Sequence, residues 1–566
     1  MADPQLETDC DVLVIGSGAG GLTAAVTARF NGLDVVVAEK APLFGGSSAL
    51  SGGWLWIPCN PAAVADGVQD TIDAAKVYIR SEMGDFYQES RIAAYLDAGP
   101  RMVAFLEQKT DVHFQSDYTF SDYHPDLPGG VAGGRSIVAA PFDGRQLGKQ
   151  FPYLQPPLRQ LTFMGLTIGS GERLKHFLNV TRSARSAVFV LKLITQYAIH
   201  RVRYGRGVQL YNGNALVARL AKTAFDRGVK LWLSATAVSL IHENRRVVGA
   251  AILKDGQRHV VKCRRGLILA TGGFSHDETL RGALLPREQA VSIAPVTATG
   301  DGVRMATAAG GCMSGGRIAP AYSCLFSLLP RKNAQPDLIP HFVDRAKPGI
   351  ILIDFNGRRF CNESNSYHDV ARAMIAQGID GKSRKAFLIA DHRAIRRYGL
   401  GAVRPAPMPM KSFLENGYLL RARTLGELAA AIGVNTAAIE ATIGEFNKGA
   451  LRGEDPAYGR GKSAYNAFQG DYGHKPNACL GPLSTPPYYA VAVQPGDFGT
   501  FVGVSVDSRS RVIDGDGEPI EGLYAVGNDS ANVFEGACLG GGVTVGPAMV
   551  FGFIAGNDVA KAANQA

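Results

Sequence analysis

The chain has 566 residues, of which 46% are hydrophobic and 19% charged, and a formal net charge of +9. That apolar content excludes a disordered or low-complexity protein, and the length admits three to five units of ordinary size or fewer large ones. Glycine stands out, at 68 of 566 residues against a usual ~7%; no Gly-X-Y period runs through it, so the backbone is expected to approach something closely in many places.

The eight cysteines are widely spaced with no C-x-x-C, so neither a disulfide framework nor a metal site is expected. The first residues, MADPQLETDCDVLVIG, are acidic and lead straight into a strand, without the charged and apolar regions of a signal peptide. No apolar run reaches the ~18 residues that span a bilayer, so the expected localisation is cytoplasmic. The positive charge is spread along the chain and no nucleic-acid motif accompanies it, so no nucleic-acid partner is expected.

Residues 11–15, Asp-Val-Leu-Val-Ile, form a short apolar run of the kind buried on both faces of a parallel sheet. Gly16, Ser17, Gly18, Ala19, Gly20 and Gly21 follow, then a helical stretch, then a second apolar strand ending at Glu39 and Lys40. In such a unit Gly16 permits the tight turn, Gly18 admits a pyrophosphate and Gly21 allows close helix–strand packing, with the phosphates at the helix N-terminus. Glu39 follows the third glycine at the distance of a ribose-binding carboxylate. This is a dinucleotide site.

The next segment favours FAD over NAD. Gly45, Gly46, Ser47, Ser48, Ser51, Gly52 and Gly53 form a second small-residue loop directly after the acidic strand, suited to a ribityl chain and an isoalloxazine ring. Residues 212–215, Asn-Gly-Asn-Ala, open a helix, and Asn214 is expected to face the cofactor. Further on, a buried strand ends in Ala270, Thr271, Gly272 and Gly273, and another ends in Gly527 and Asn528. Six glycine patches (16–21, 45–53, 212–214, 272–273, 522–527, 540–546) are expected to converge on one FAD.

These motifs, GSGAGG, EK…FGGSSALSGG, LILATGGF and GLYAVGN…GGGVTVGPAMVFGFIAG, resemble the flavoprotein superfamily of fumarate reductase and succinate dehydrogenase, and within it the 3-ketosteroid dehydrogenases of Δ1 or Δ4 type. The resemblance covers nearly the whole chain. It implies an α/β fold: a Rossmann-like FAD domain with a parallel sheet, from 1–310 and a return segment 483–566, and an inserted catalytic cap, 311–482. It also implies adenine-side backbone contacts at Ala237 and Val238, and cofactor contacts at Gly542, Val543 and Thr544. Succinate dehydrogenases attach FAD through a histidine beside the second glycine loop; Ser47 and Ser48 stand here, so non-covalent FAD is implied.

The segment from Asn356 to Tyr367, NGRRFCNESNSY, matches the superfamily's G-x-R-F-x-N-E stretch. Its last position resembles the arginine that delivers a proton in fumarate reductases and the tyrosine base of 3-ketosteroid Δ1-dehydrogenases. An arginine is permanently protonated, whereas a phenolate can accept a proton, so Tyr367 points to α,β-dehydrogenation of a cyclic ketone, with hydride passing to FAD N5. A 3-ketosteroid is the first substrate implied. A simple cyclic ketone such as cyclohexanone, a fumarate-reductase-like reduction and a flavoprotein subunit of an electron-transfer complex are the alternatives, and the electron acceptor is unknown. Tyr123, in Ser-Asp-Tyr-His-Pro, resembles the family's helper tyrosine, with Tyr118 its rival. The family's Tyr-Pro-Gly-Pro-Gly oxyanion segment is here Cys538-Leu539-Gly540-Gly541-Gly542. Gly542 keeps a backbone donor, Cys538 replaces the tyrosine, and Tyr322, Tyr488 or Tyr489 is expected to supply the missing hydroxyl. Last, residues 181–206 interleave apolar residues with Arg182, Arg185, Lys192, Arg201, Arg203 and Arg206. Such a basic amphipathic helix either lies on an anionic membrane surface or packs on the protein; Tyr197 within it is a further candidate for the active site.

Overall fold

The computed structural model describes residues 6–116, 119–163, 165–167, 176–177, 180 and 183–561. Tyr118, Thr181 and Arg182 lie outside the described residues.

The first two apolar runs are the strands Leu6–Ile15 and Val35–Ala38, joined by the helix Ala19–Phe30. An unbroken apolar run needs cover on both faces, and Val12, Leu13 and Val14 are fully buried. The strands are parallel, with Val12 opposite Val35 and Ile15 opposite Ala38. Lys230–Trp232 extends the sheet beyond Val35–Ala38. On the other side of Leu6–Ile15 come Gln257–Leu269 and then Pro519–Ala525, again parallel. The strand order therefore reverses between Leu6–Ile15 and Gln257–Leu269, the place where an open α/β sheet leaves a crevice beyond its carboxyl ends. The first half of Gln257–Leu269 pairs instead with an antiparallel hairpin, Arg246–Lys254 and Ala235–Glu243.

One face of this sheet is covered by Ala19–Phe30 lying against the last helix, Val545–Lys561. A Cβ on Gly552 would stand 2.5 Å from the Gly20 carbonyl oxygen, and one on Gly556 2.7 Å from that of Ala24. Glycine costs a helix interior ~0.5–1 kcal/mol relative to alanine; here it admits a backbone-to-backbone approach that no larger residue allows.

A second, mainly antiparallel sheet runs in the order 334–340, 321–331, 488–500, 386–390, 350–353. The sequence reading starts the cap at 311 and returns the chain to the FAD domain at 483; the structure moves both boundaries. Tyr488–Thr500 is the central strand of the second sheet, with Leu325 opposite Pro495 and Leu388 opposite Val491. The return comes after Thr500, where Gly503–Val504 pairs with Met313–Ser314. Residues 311–314 thus belong to the junction; the second sheet takes Val291–Ser292 beside Tyr488–Thr500 and resumes at Ala321. A buried apolar strand carries no local mark of which sheet receives it, so partners about 100 to 170 residues away in the chain decided the boundary.

Candidate active site

At the switch point a cleft of about 1530 Å³ opens between the two sheets. Gly16, Ser17, Gly18, Ala19, Gly20 and Gly21 line it, as do Glu39, Lys40, Gly46, Ser47, Ser48, Ser51 and Gly52. Ala237, Ala270, Thr271, Gly272, Gly527, Asn528 and Thr544 complete the residues expected there.

Gly16, at φ +108°, has no room for a side chain: its Cβ would lie 2.2 Å from the Ala270 carbonyl oxygen. Gly18 begins the helix Ala19–Phe30 without a side-chain cap, leaving early amides directed at the cleft. The Ala19 N–H donates to Ser48 Oγ at 2.9 Å, tying the first glycine loop to the second. Glu39 is held at its strand end: Oε2 accepts from the Ser17 N–H (3.0 Å) and hydroxyl (2.5 Å), and Oε1 from the Ala41 N–H (2.8 Å). A long glycine-walled cleft with an open helix N-terminus and a fixed carboxylate fits a dinucleotide, and no smaller anion needs both loops.

Seven residues expected at the cofactor do not line the cleft. The Val238 side chain, next to Ala237 on a strand, points to the opposite face and is half exposed, which leaves its main chain as the part expected at the cofactor. Asn214 is buried behind the second loop, donating to the carbonyls of Ala49 (3.2 Å) and Gln155 (2.7 Å). Gly45 supports that loop through its N–H to Ser17 Oγ (3.0 Å), and Gly53 backs onto the Asn212 main chain. The Gly273 N–H goes to the Asp529 carboxylate at 2.9 Å. Gly542 and Val543 immediately precede Thr544, the first residue of the last segment to line the cleft, and a Cβ on Gly542 would meet the Trp54 carbonyl oxygen at 2.4 Å.

The second sheet contributes Tyr322, Phe342, Tyr367 and Phe498 to the same cleft. Tyr367 is the first residue of the helix Tyr367–Ala376, capped by Ser366, whose hydroxyl accepts from the Asp369 N–H at 3.1 Å. The preceding loop is pinned by Glu363, fully buried, with Arg359 Nε 2.7 Å from Oε1 and Arg460 Nη1 3.2 Å from Oε2. Burial alone would raise this carboxyl, but the two guanidiniums hold it at about 2.

The Tyr123 hydroxyl lies 3.3 Å from that of Tyr367, and the Tyr322 hydroxyl is hydrogen-bonded to the same oxygen. Tyr123 itself stands behind Tyr367 rather than in the cleft wall. Burial raises all three phenols, but the bonds with Tyr123 and Tyr322 pull Tyr367 back down, while the same bonds raise Tyr123 and Tyr322 further. Of the three, Tyr367 is the one whose anion these bonds favour. His124, next to Tyr123, bridges Glu82 (Nδ1, 2.5 Å) and Asp369 (Nε2, 3.0 Å). Burial opposes its charge, yet the two carboxylates raise it to about 10, so it is an imidazolium.

Of the three tyrosines named as stand-ins for the missing hydroxyl, only Tyr322 reaches the cleft. Tyr489 bonds His392 Nδ1 (3.0 Å) within the second sheet, and Tyr488 lies beside it, away from the cleft. Tyr197 lines a separate groove with Arg201, not this one. Phe342 and Phe498, which stack at 5.5 Å, were not legible as site residues; no motif surrounds them.

The FAD binding domain family matches residues 11–545 of the chain. A 4-oxocyclohex-2-ene-1-carboxylate 5-dehydrogenase of Sinomonas cyclohexanicum is 40% identical over 98% of this chain and 94% of its own length. A 3-oxosteroid 1-dehydrogenase of Mycolicibacterium smegmatis is 35% identical over 98% and 97%. Among solved structures, the 3-ketosteroid Δ1-dehydrogenase of Sterolibacterium denitrificans, in complex with 1,4-androstadiene-3,17-dione, superposes with a TM-score of 0.89 at 33% identity, covering 98% of this chain and 99% of that one. A flavocytochrome c3 fumarate reductase shares the fold alone, at 22% identity and a TM-score of 0.63. A glycine-walled dinucleotide cleft closed by a tyrosine-bearing second sheet, together with relatives aligned almost end to end, establishes that the chain belongs to the FAD-dependent flavoprotein family of the 3-ketosteroid dehydrogenases.

Proposed function

We propose that the chain introduces a C=C bond beside the carbonyl of a cyclic ketone. The observation that carries the reading is the Tyr367 hydroxyl, set in the cleft wall and hydrogen-bonded to two other tyrosine hydroxyls. A reductase acting on a dicarboxylate needs a permanent proton donor and anion-binding cations at this place; the second sheet offers phenols and phenyl rings. FAD bound along the glycine loops supplies the hydride acceptor. The protein's part is to take the α-proton on Tyr367 Oη, to hold the ring against the stacked Phe342–Phe498 pair, and to keep water from the reacting carbons. FAD is non-covalent in this reading: the loop 46–52 that lines the cleft carries only Gly, Ser, Ala and Leu.

A 3-ketosteroid is the substrate favoured by the 0.89 superposition on a steroid complex. A single-ring ketone is favoured by the 40% relative, whose named substrate is an oxocyclohexene carboxylate. Anaerobic bleaching of the flavin by saturated and Δ4 3-ketosteroids, cyclohexanones and succinate separates the readings. Bleaching by a ketone and not by succinate is expected; bleaching by succinate alone contradicts the proposal.

The helix Ala184–Tyr204 supports a peripheral contact with an anionic membrane surface. Val188, Leu191, Ile199 and Val202 are exposed along one stripe, edged by the exposed Arg185, Lys192 and Arg203. Among the described residues no helix is long and apolar enough to cross a membrane. Sedimentation with phosphatidylglycerol vesicles but not with phosphatidylcholine vesicles is expected; sedimentation with neither contradicts the contact.

A further inference from the structure

Removing an α-proton turns the carbonyl oxygen of the ketone into an enolate oxygen, and that charge needs a donor. At the positions where the family likeness places such donors, the side-chain hydroxyl is missing, because Cys538 stands in place of the tyrosine. Gly542 is not among the residues that line the cleft. Cys538 is buried at 3% exposure, is absent from the cleft wall, and bears a thiol, a weak donor. On the second-sheet side of the cleft the polar lining side chains are Tyr367 and Tyr322.

We propose that Tyr322 is the electrophilic residue of the reaction: its hydroxyl donates to the ketone oxygen while Tyr367 takes the neighbouring proton. The inference rests on the dehydrogenation reading above. Three observations place it. The Tyr322 hydroxyl lies one hydrogen bond from the Tyr367 oxygen, the separation that acceptors of an α-hydrogen and its adjacent carbonyl require of each other. Its ring is clamped by Phe498 (5.8 Å), Phe501 (5.5 Å) and His368 (5.8 Å), so the hydroxyl is aimed rather than free to swing. The next residue locks the strand to the catalytic helix, since the Ser323 N–H donates to His368 Nδ1 at 3.1 Å. Burial lowers His368 to about 4, so the ring is neutral and Nδ1 is free to accept.

Burial also pushes Tyr322 well above the ordinary tyrosine range, which keeps it a donor at every working pH. The bookkeeping is simple: the α C–H bond breaks, its proton goes to Tyr367 Oη, the carbonyl π pair moves onto oxygen, and Tyr322 keeps its own proton. When the ketone is bound, the Tyr322 hydrogen bond passes to its oxygen, and Tyr123 continues to donate to Tyr367 Oη. A preorganised donor of this kind is worth ~10²–10³ in kcat.

The test is Tyr322→Phe in the FAD-loaded enzyme, which keeps the ring and its packing. The expected result is a ~10²–10³-fold fall in kcat with KM changed less than threefold and an unchanged flavin spectrum. Tyr489→Phe, whose hydroxyl bonds His392 away from the cleft, is measured beside it and is expected to stay within threefold of wild type. Turnover of Tyr322→Phe within threefold of wild type overturns the assignment, and so does an equal loss in Tyr489→Phe. Independently of any variant, the infrared carbonyl stretch of cyclohex-2-enone bound to the wild-type holoenzyme is expected to fall below its value in water; no downshift overturns the proposal. A wild type that is bleached by no ketone overturns the dehydrogenation reading and this inference with it, whereas bleaching with an unshifted carbonyl overturns this inference alone.

Discussion

Tyr367 is a phenol in the resting protein, because burial raises it further than its two hydrogen bonds lower it. The anion needed for proton removal is therefore a minor species at neutral pH, and its share grows with pH. The sign follows directly: a base with a raised pKa gains activity as pH rises. The rate of flavin reduction by ketone is expected to climb through the alkaline range with no plateau below pH ~10, the reference value for tyrosine. A flat profile between pH 6 and 9, followed by stopped-flow absorbance, contradicts Tyr367 as the base. The residue itself was legible because NGRRFCNESNSY is a contiguous motif. Its partner Tyr322 was only one of three candidates, since selecting it needs the pairing of a strand 45 residues upstream with the Tyr367 helix.

At the scale of elements, the loop before Tyr367 is set by a buried charge network rather than by apolar packing. Glu363 joins Arg359 and Arg460, and Arg359 also meets Asp455 at 2.8 Å. Removing one member of a buried pair leaves the other charge uncompensated, at a cost of ~3–5 kcal/mol. Glu363→Gln is expected to lower stability by about that amount in urea unfolding, with Arg460, fully buried, losing its nearest carboxylate. A loss under 1 kcal/mol contradicts the structural weight given to this cluster. The glycine loops were legible for a different reason: each ends an apolar strand, so local pattern and local function coincide. Asn214 stands behind the second loop and not in the cleft wall because facing is a matter of helix rotation, which the motif does not record.

Across the whole molecule, His124 links three parts: Glu82 on the helix Ile72–Met83, the loop carrying Tyr123, and Asp369 on the Tyr367 helix. Its folded pKa of about 10 exceeds the unfolded ~6.5. The stabilisation is thus fully present below pH ~6.5 and is lost as pH rises through about 10. The melting temperatures of wild type and His124→Gln are expected to differ most near pH 6 and to converge above pH 10; a gap that widens with pH contradicts the imidazolium bridge. The parallel sheet and the FAD crevice were readable from residues 11–40 and the later glycine strands. The second sheet was not, because Tyr488–Thr500 joins partners at 321–331 and 386–390 that no local pattern connects.

The central claim is that Tyr367 removes the α-proton of a cyclic ketone. Its most direct test is anaerobic rapid mixing of wild type and Tyr367→Phe, both loaded with FAD, with a ketone that bleaches the wild type. A general base contributes ~10²–10⁴ in rate, so the variant is predicted to bind flavin and ketone yet reduce its flavin at least ~100-fold more slowly. Flavin reduction by Tyr367→Phe at the wild-type rate would contradict the account.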